Sequence, residues 1–257
     1  MKAAVIIPAR YASTRLPGKP LLAETGKPLI QHTYEQAMRA ETTSEVIVAT
    51  DDPRIADAVA GFGGRAVITR SSHETGSARV AEASAAVDAD IIVNLQGDEP
   101  EIEPAHIDKL VGIASDLDCF AATLACPFAK HANAGPGSPE DPAAVKAILG
   151  DVLWEGVRRG RYFTRSLCPY PRDASGAIVT PEQYYLHIGV YAFARDNLMR
   201  FSAWEAGALE SAERLEQLRI LEKGETIAVG LVNAAPAGID TPEDYQAFVQ
   251  RCAAFVS

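Results

Sequence analysis

The first half of the chain alternates short apolar runs, which are typical of buried strands, with segments of helical periodicity. The predicted strands are Ala3–Ile7, Glu45–Ala49, Ala66–Thr69 and Asp90–Leu95, and the predicted helices between them are Leu29–Arg39, Pro53–Gly61 and Ser77–Val87. Parallel strands need crossover connections of about a dozen residues, usually helices. We therefore expect an α/β fold with a mostly parallel central sheet and helices on both faces. Ligands of such sheets bind beyond the carboxyl ends of the strands.

A cationic loop follows the first predicted strand. It carries Arg10, Arg15 and Lys19 among small residues, with Pro17-Gly18 directly before the lysine. The whole chain has a net charge of −10, so the positive charge is local. Such a loop suits a polyphosphate, because arginine pairs bidentately with phosphate oxygens. It matches neither the G-x-x-x-x-G-K-[ST] nor the G-x-G-x-x-G pattern, and a solvated basic loop is the alternative interpretation.

Composition limits the function classes. An acidic chain of 257 residues with a pI near 5.0 is unsuited to coating nucleic acid. The early apolar run is too short for a membrane span or a secretory segment, so we expect a cytoplasmic location and no membrane or nucleic-acid partner. The four cysteines form no C-x-x-C pair and are expected to be free thiols rather than zinc ligands.

The second half has a different character. Its predicted elements are a helix from Pro104 to about Asp116, strands at Phe120–Ala125, Tyr162–Arg165 and His187–Phe193, and a helix from about Ser211 to Glu222. Residues 126–142 are rich in proline and glycine and predict a surface loop. We expect one domain, 1–257, with halves 1–125 and 126–257, the second a smaller α+β region.

Two acidic boxes stand where apolar runs end. In Asn94–Pro100 the run delivers Asp98 after Gly97, a residue that permits close backbone approach. Such an aspartate suits Mg²⁺, which takes one or two carboxylates together with substrate phosphates. In Gly238–Asp244, Asp240 precedes a threonine-proline helix start, and a capping role would also explain that sequence.

Six motifs in this chain resemble those of the sugar-activating nucleotidyltransferases, and in particular the 3-deoxy-manno-octulosonate (Kdo) cytidylyltransferase family. They are R-x-x-S-x-R-x-P-x-K after the first strand, N-L-Q-G-D-E-P, G-I-D-T-P-E-D, H-E-T-G-S-A-R, L-H-I-G-V-Y and L-E-Q-L-R. The resemblance covers nearly the whole chain. It implies a Rossmann-like nucleotidyltransferase fold, a nucleotide-binding first half, and a second half for sugar binding and dimerisation.

The resemblance also implies an activity: Mg²⁺-dependent transfer of CMP from CTP to the anomeric hydroxyl of Kdo, giving CMP-Kdo and pyrophosphate for lipopolysaccharide biosynthesis, by a homodimer. The implied CTP-binding residues are Ala9, Arg10, Arg15, Lys19, Thr75, Gly76, Arg79 and Gly97. The implied catalytic residues are Arg15, Lys19, Asp98 and Asp240, of which Asp98 and Asp240 hold the metal. The implied sugar-binding residues are Gln96, Arg165, His187, Tyr191, Glu216 and Gln217.

The chain departs from the family pattern between about Cys126 and Cys168, on the sugar side. Another acceptor therefore stays open: an amino-substituted Kdo, a sialic acid or a polyol phosphate. In H-E-T-G-S-A-R, Thr75 stands where the family has serine, Ser77 where it has threonine and Ala78 where it has an acidic residue. A nucleotide-binding protein without turnover is the alternative from another class. A dinucleotide enzyme is disfavoured because the glycine fingerprint is missing.

Overall fold

The computed structural model describes residues 1–12, 16–172 and 176–254. Its described strands are β1 (Ala3–Ala9), β2 (Thr43–Thr50), β3 (Ala66–Ile68), β4 (Ile91–Asn94), β5 (Ala121–Pro127), β6 (Lys146–Trp154), β7 (Val157–Thr164), β8 (Tyr185–Ala194) and β9 (Ile227–Leu231). Its described α-helices are α1 (Leu29–Met38), α2 (Pro53–Gly61), α3 (Gly76–Ala83), α4 (Pro104–Asp116), α5 (Arg195–Ala203), α6 (Ala208–Glu213), α7 (Leu218–Glu222) and α8 (Pro242–Ala254).

The chain forms two compact units that do not follow its two halves. The first unit contains residues up to Val111, the segment Ala194–Ser202 and the segment from Pro236 onward. The second unit contains Gly112–Phe193 and Ala203–Ala235. The C-terminal segment thus packs with the N-terminal residues, although the sequence division placed it in the second half.

The first unit has a parallel sheet in the order β3-β2-β1-β4. Every residue of β1 and β4 is buried, as expected for strands covered on both faces. Because β1 lies between β2 and β4, the strand order reverses there, and the carboxyl ends of β1 and β4 flank a topological switch point. The cationic loop follows β1 and Asp98 follows β4. The fold therefore directs both motifs to the edge where open α/β sheets bind ligands.

Helix α8 packs the C-terminal segment against the N-terminal part of the first unit. Ile239, Tyr245 and Phe248 are buried together with Leu29 of α1. Each such side chain contributes about 1.5–3 kcal/mol when removed from water. The Tyr245 hydroxyl also accepts a hydrogen bond from the backbone N–H of Glu24 at 2.9 Å. This packing anchors the residue that precedes Asp240.

The second unit has a mixed sheet in the order β8-β5-β9-β7-β6, and β5 and β9 are its only parallel pair within the described residues. The predicted strand at 162–165 is the end of β7, which forms a hairpin with the unpredicted β6 across Glu155-Gly156. Gly156 has φ +69°, a conformation that glycine adopts at low cost. The fold class is confirmed, and helices cover both sides of a mixed sheet.

The predicted helix from Ser211 to Glu222 is wrong, because the chain forms two short helices, α6 and α7, instead. Arg214 breaks the run with φ +55° and ends α6 in a left-handed conformation. The predicted helix end at Glu222 is confirmed, and Gly224 follows it with φ +76° and an N–H that donates to the carbonyl of Leu221 at 3.0 Å. All four cysteines are free thiols. No described helix has the length and apolar character needed to cross a membrane.

A buried ion pair joins α6 to α7. Arg219 donates from Nε to Glu210 Oε2 at 2.7 Å and from Nη2 to Oε1 at 2.6 Å. We expect Glu210→Gln to lower the free energy of unfolding by about 3–5 kcal/mol, because it leaves a buried guanidinium without its countercharge. Urea denaturation measures the loss. The control is Arg161→Ala, which removes an exposed pair with Asp151 and should cost less than about 1 kcal/mol. Equal losses in the two variants would refute this expectation.

Candidate active site

The ammonium group of Lys19 lies between two carboxylates from distant parts of the chain. Its Nζ donates to Asp98 Oδ2 at 2.6 Å and to the carbonyl of Ile239 at 2.8 Å. Asp240 Oδ1 lies 3.8 Å from the same Nζ. Lys19 is 15% exposed, Asp98 30% and Asp240 54%. The structure thus brings three predicted residues to one cationic centre.

Local structure holds this centre in place. The backbone N–H of Ile239 donates to the carbonyl of Asp98 at 3.0 Å, which ties the two acidic boxes together. Thr241 caps α8 through a 3.2 Å bond from the N–H of Asp244 to its hydroxyl. Asp244 Oδ2 in turn accepts the N–H groups of Asp240 and Thr241 at 3.0 and 2.8 Å. The capping function therefore also fixes the backbone of Asp240.

Glu99 is a residue of this site that sequence reasoning missed. Its Oε2 is buried and has no hydrogen-bond partner among the described residues. Burial, followed by the charges of Asp98 and Asp240, raises the pKa of Glu99 to about 8. Its place beside Asp98 was visible in the sequence, but its burial was not. The cluster of acids makes this edge of the first unit attractive to a cation.

Glycine at position 97 lets two backbone segments approach one another at the switch point. A Cβ on Gly97 would lie 3.1 Å from Ile30 Cδ1 and 3.3 Å from the carbonyl of Pro8, which is tighter than ordinary packing. A Cβ on Gly76 would lie 3.5 Å from Gln96 Oε1 and from a ring carbon of Pro8. The small residue at 97 therefore lets the β4 tip lie against β1. Gln96 lies beside the start of α3.

Three further predicted CTP-binding residues, Ala9, Arg10 and Thr75, lie near the same strand ends. Ala9 is the buried last residue of β1, and Arg10 Nη2 donates to the carbonyl of His73 at 2.5 Å. Thr75 caps α3, accepting the N–H of Ala78 at 3.2 Å. Arg15 lies outside the described residues.

Arg79 has an interior position. Its side chain is 0% exposed, with Nη1 donating to Thr69 Oγ1 at 2.5 Å and Nη2 to Asp51 Oδ2 at 3.1 Å. Its Nε has no hydrogen-bond partner among the described residues. In this state Arg79 joins the ends of β2 and β3. Its predicted contact with the nucleotide stays a prediction.

The second unit holds a cluster of aromatic residues around His187. The imidazole Nε2 is 3.0 Å from Thr123 Oγ1, and the ring centroids of Phe163 and Tyr191 are 4.8 and 5.6 Å away. Burial lowers the pKa of His187 to about 3. Burial, and then the charge of Glu216, raises the pKa of Tyr191. Both side chains are therefore neutral near pH 7.

We expect the neutral His187 to make stability depend on pH. In the unfolded chain its pKa returns to about 6.5, so protons favour unfolding as the pH falls from about 6.5 towards 3. Urea unfolding at several pH values should show wild type losing up to about 1.4 kcal/mol per pH unit more than His187→Gln. The exposed His131, changed to Gln, is the control and should follow wild type. A His187→Gln variant with the wild-type slope would contradict the expectation.

The other predicted sugar residues differ in how firmly they are held. Arg165 donates from Nε to the carbonyl of Glu213 at 2.8 Å and from Nη1 to that of Pro142 at 2.9 Å, so two of its nitrogens bind backbone. Gln217 is buried, and its Nε2 has no hydrogen-bond partner among the described residues. Glu216 and Gln217 lie in the turn between α6 and α7, rather than on the continuous helix that was predicted.

Known proteins are similar in sequence to this chain over most of its length. A sequence profile described as cytidylyltransferase matches residues 4–227. A 3-deoxy-manno-octulosonate cytidylyltransferase of Escherichia coli is 44% identical over 245 residues, covering 94% of this chain and 92% of that protein. A protein of the same name from Geobacter metallireducens is 44% identical over 265 residues, covering 99% of both chains.

A solved structure agrees with the sequence relatives. It is a CMP:2-keto-3-deoxy-manno-octonic acid synthetase in complex with CTP, with a TM-score of 0.87 and 41% identity over 99% of this chain and 100% of that one. The profile match spans most of the chain, and the relatives match it nearly end to end. This chain belongs to the cytidylyltransferase family.

Proposed function

We propose that this protein transfers CMP from CTP to the anomeric hydroxyl of Kdo and releases pyrophosphate. The observation that carries the proposal is the Lys19 ammonium held between Asp98 and Asp240 at the strand switch point. A cation there can bind phosphate, and the carboxylates beside it can bind a metal. The names of the full-length relatives supply the substrate pair.

The residues at this centre fit Mg²⁺. Asp98 and Asp240 provide hard oxygen donors within reach of one cation. Beside them, the buried Oε2 of Glu99 has no hydrogen-bond partner among the described residues and could accept one from a metal-bound water. Within the described residues no group of three or more His, Cys, Asp or Glu side chains could hold a metal by itself. Mg²⁺ is bound by one or two carboxylates, and it completes its coordination with waters and substrate phosphates. Bound Mg²⁺ would polarise the α-phosphate and help the sugar hydroxyl to ionise.

The reaction is an in-line displacement at the α-phosphorus. The anomeric hydroxyl loses its proton to solvent, a bond forms between the anomeric oxygen and the α-phosphorus, the bond from that phosphorus to the β-phosphate oxygen breaks, and pyrophosphate leaves with the electron pair. Lys19, Arg10 and Arg15 hold the triphosphate and offset the charge that develops on the leaving group. Gly97 keeps the β4 tip close enough to β1 for these groups to act on one phosphate chain.

The sugar is held by the residues predicted for it, Gln96, Arg165, His187, Tyr191, Glu216 and Gln217. Neutral His187 and Tyr191 offer hydrogen bonds without a charge. The buried Gln217 amide has a donor available for a hydroxyl, because an unsatisfied buried N–H is costly and favours a ligand that accepts it. Arg165 pairs with the sugar carboxylate through the part of its guanidinium not bound to backbone.

The proposal also covers the oligomeric state of the enzyme, its location in the cell and the use of its product. The enzyme acts as a homodimer in the cytoplasm and supplies CMP-Kdo for lipopolysaccharide biosynthesis. The second half of the sequence, residues 126–257, supplies the dimer interface and most of the sugar contacts. These points rest on family resemblance and are tested by gel filtration with light scattering and by fractionation of cells.

Pyrophosphate release tests the function. Purified protein is incubated with Mg²⁺, Kdo and each of CTP, UTP, ATP and GTP, with EDTA as the control. We expect metal-dependent release with CTP alone. Release with CTP and a different acidic sugar, but not with Kdo, would keep the mechanism and change the acceptor. CTP binding without release for any acceptor would favour the binding protein without turnover.

A further inference from the structure

Arg54 lies outside every motif discussed above, yet it contacts the cationic loop. Its guanidinium carbon is 3.4 Å from the centroid of the Tyr11 ring. Tyr11 directly follows Arg10, and both residues lie in the first unit with Arg54. A guanidinium over an aromatic face is attracted by the ring quadrupole, which favours a defined ring position.

Asp52 fixes the orientation of Arg54. Arg54 donates from Nε to Asp52 Oδ1 at 2.9 Å and from Nη2 to Oδ2 at 2.6 Å, a bidentate arrangement. Asp52 is also the N-cap of α2, where its Oδ1 accepts the backbone N–H of Arg54 at 2.9 Å. Asp52 is 16% exposed, whereas Arg54 is 57% exposed. The Arg54 guanidinium is therefore bound to the N-cap of α2 and lies over the Tyr11 ring.

Tyr11 in turn contacts Gly18, the residue that directly precedes Lys19. The N–H of Gly18 donates to the carbonyl of Tyr11 at 3.2 Å. Gly18 has φ +67°, and a Cβ there would lie 3.4–3.5 Å from the Tyr11 ring and hydroxyl. The ring thus packs on the left-handed turn whose next residue, Lys19, reaches Asp98.

We propose that Arg54 is a positioning residue for the CTP-binding loop, acting through Tyr11 and Gly18 on Lys19. It reduces the freedom of the loop before CTP arrives, so less conformational entropy is lost on binding. The inference rests on the proposed CTP-binding role of the loop. It assigns a function to the pair Tyr11 and Arg54, which no motif marked.

The alternative is that the exposed Arg54 touches a phosphate of CTP directly. A double-mutant cycle separates the two, using Arg54→Ala, Tyr11→Leu and the double variant, with CTP affinity measured by calorimetry in Mg²⁺. Positioning through the ring predicts that each single variant binds CTP about 5-fold more weakly and that the double variant is no weaker than Tyr11→Leu. Direct phosphate contact predicts that the two losses multiply, which would overturn the proposal.

Steady-state kinetics and hydrogen exchange complete the test. We expect Arg54→Ala to raise KM for CTP while KM for Kdo and kcat at saturating CTP stay the same. We also expect faster amide exchange in residues 16–21 without any ligand in both single variants. Arg54→Lys should recover part of each effect, because it keeps the charge but lacks the planar fork. Arg39→Ala, which removes the exposed C-cap arginine of α1 that donates to Gln36, should match wild type.

Two outcomes separate this inference from the proposed function. If wild type binds CTP but releases no pyrophosphate with Kdo, the function fails while the affinity cycle still decides the role of Arg54. If wild type binds no nucleotide, both the function and the proposed effect on CTP are wrong, and exchange rates show whether Arg54 orders the loop. Unchanged exchange together with unchanged CTP affinity in Arg54→Ala overturns the inference.

Discussion

Asp98→Asn should lose most of the turnover, about 10³-fold in kcat, while the protein remains folded. The amide is nearly isosteric, so packing at the β4 tip is kept. The variant loses the negative charge that pairs with Lys19 at 2.6 Å and that would hold Mg²⁺ beside the α-phosphate. Stabilisation of charge that develops during the reaction is lost, whereas ground-state binding of the sugar is not.

Pyrophosphate release at saturating CTP, Kdo and Mg²⁺ measures this effect, and a thermal melt checks the fold. Asp57→Asn is the matched control, because Asp57 is an exposed aspartate of α2 in the same unit. It should retain full activity. Activity close to wild type for Asp98→Asn, even at high Mg²⁺, would remove Asp98 from the metal site.

Lys19→Ala should damage the handling of the triphosphate. We expect kcat/KM for CTP to fall about 10²-fold, with a smaller change in KM for Kdo. The ammonium binds Asp98 and the carbonyl of Ile239, so its removal also leaves Asp98 and Asp240 as neighbouring negative charges. The unliganded variant should therefore be less stable than wild type, and added Mg²⁺ should restore part of that loss.

Initial rates over a range of CTP concentrations measure the first effect, and thermal melts with and without Mg²⁺ measure the second. Lys27→Ala is the control, since it removes a lysine from the same N-terminal region whose partner is Glu35 in an exposed ion pair. It should leave CTP kinetics unchanged. The same CTP kinetics in Lys19→Ala as in wild type would refute the assignment of Lys19 to the triphosphate.

Local sequence was sufficient to predict those strands and helices whose pattern depends on burial alone. The strands β1, β2 and β4 each contain a continuous apolar run, and the helices α2 and α4 lie at the predicted positions. The start of α8 followed from Thr241-Pro242 for the same reason. The motifs of the cationic loop and of the two acidic boxes also identified the family, because each motif is a short contiguous segment that can be read without the fold.

Sequence failed where long-range packing overrides local preference. The run 211–222 has helical periodicity but is broken at Arg214, and the bidentate pair of Arg219 with Glu210 joins the two pieces. The β6–β7 hairpin was missed although Gly156 marks its turn. Short strands take their stability from cross-strand neighbours, which a single segment does not reveal.

The sequence by itself determined that this chain carries a basic loop, two acidic boxes and a family signature, because these are properties of neighbouring residues. Only the tertiary structure decided that Lys19 meets Ile239, 220 positions away, and that Asp98 and Asp240 share its ammonium group. It also buried the Oε2 atom of Glu99 and the side chain of Arg79, and it placed Arg54 over Tyr11. These contacts depend on α8 packing its apolar face on α1 and on the strand order around β1, and a one-dimensional pattern records neither.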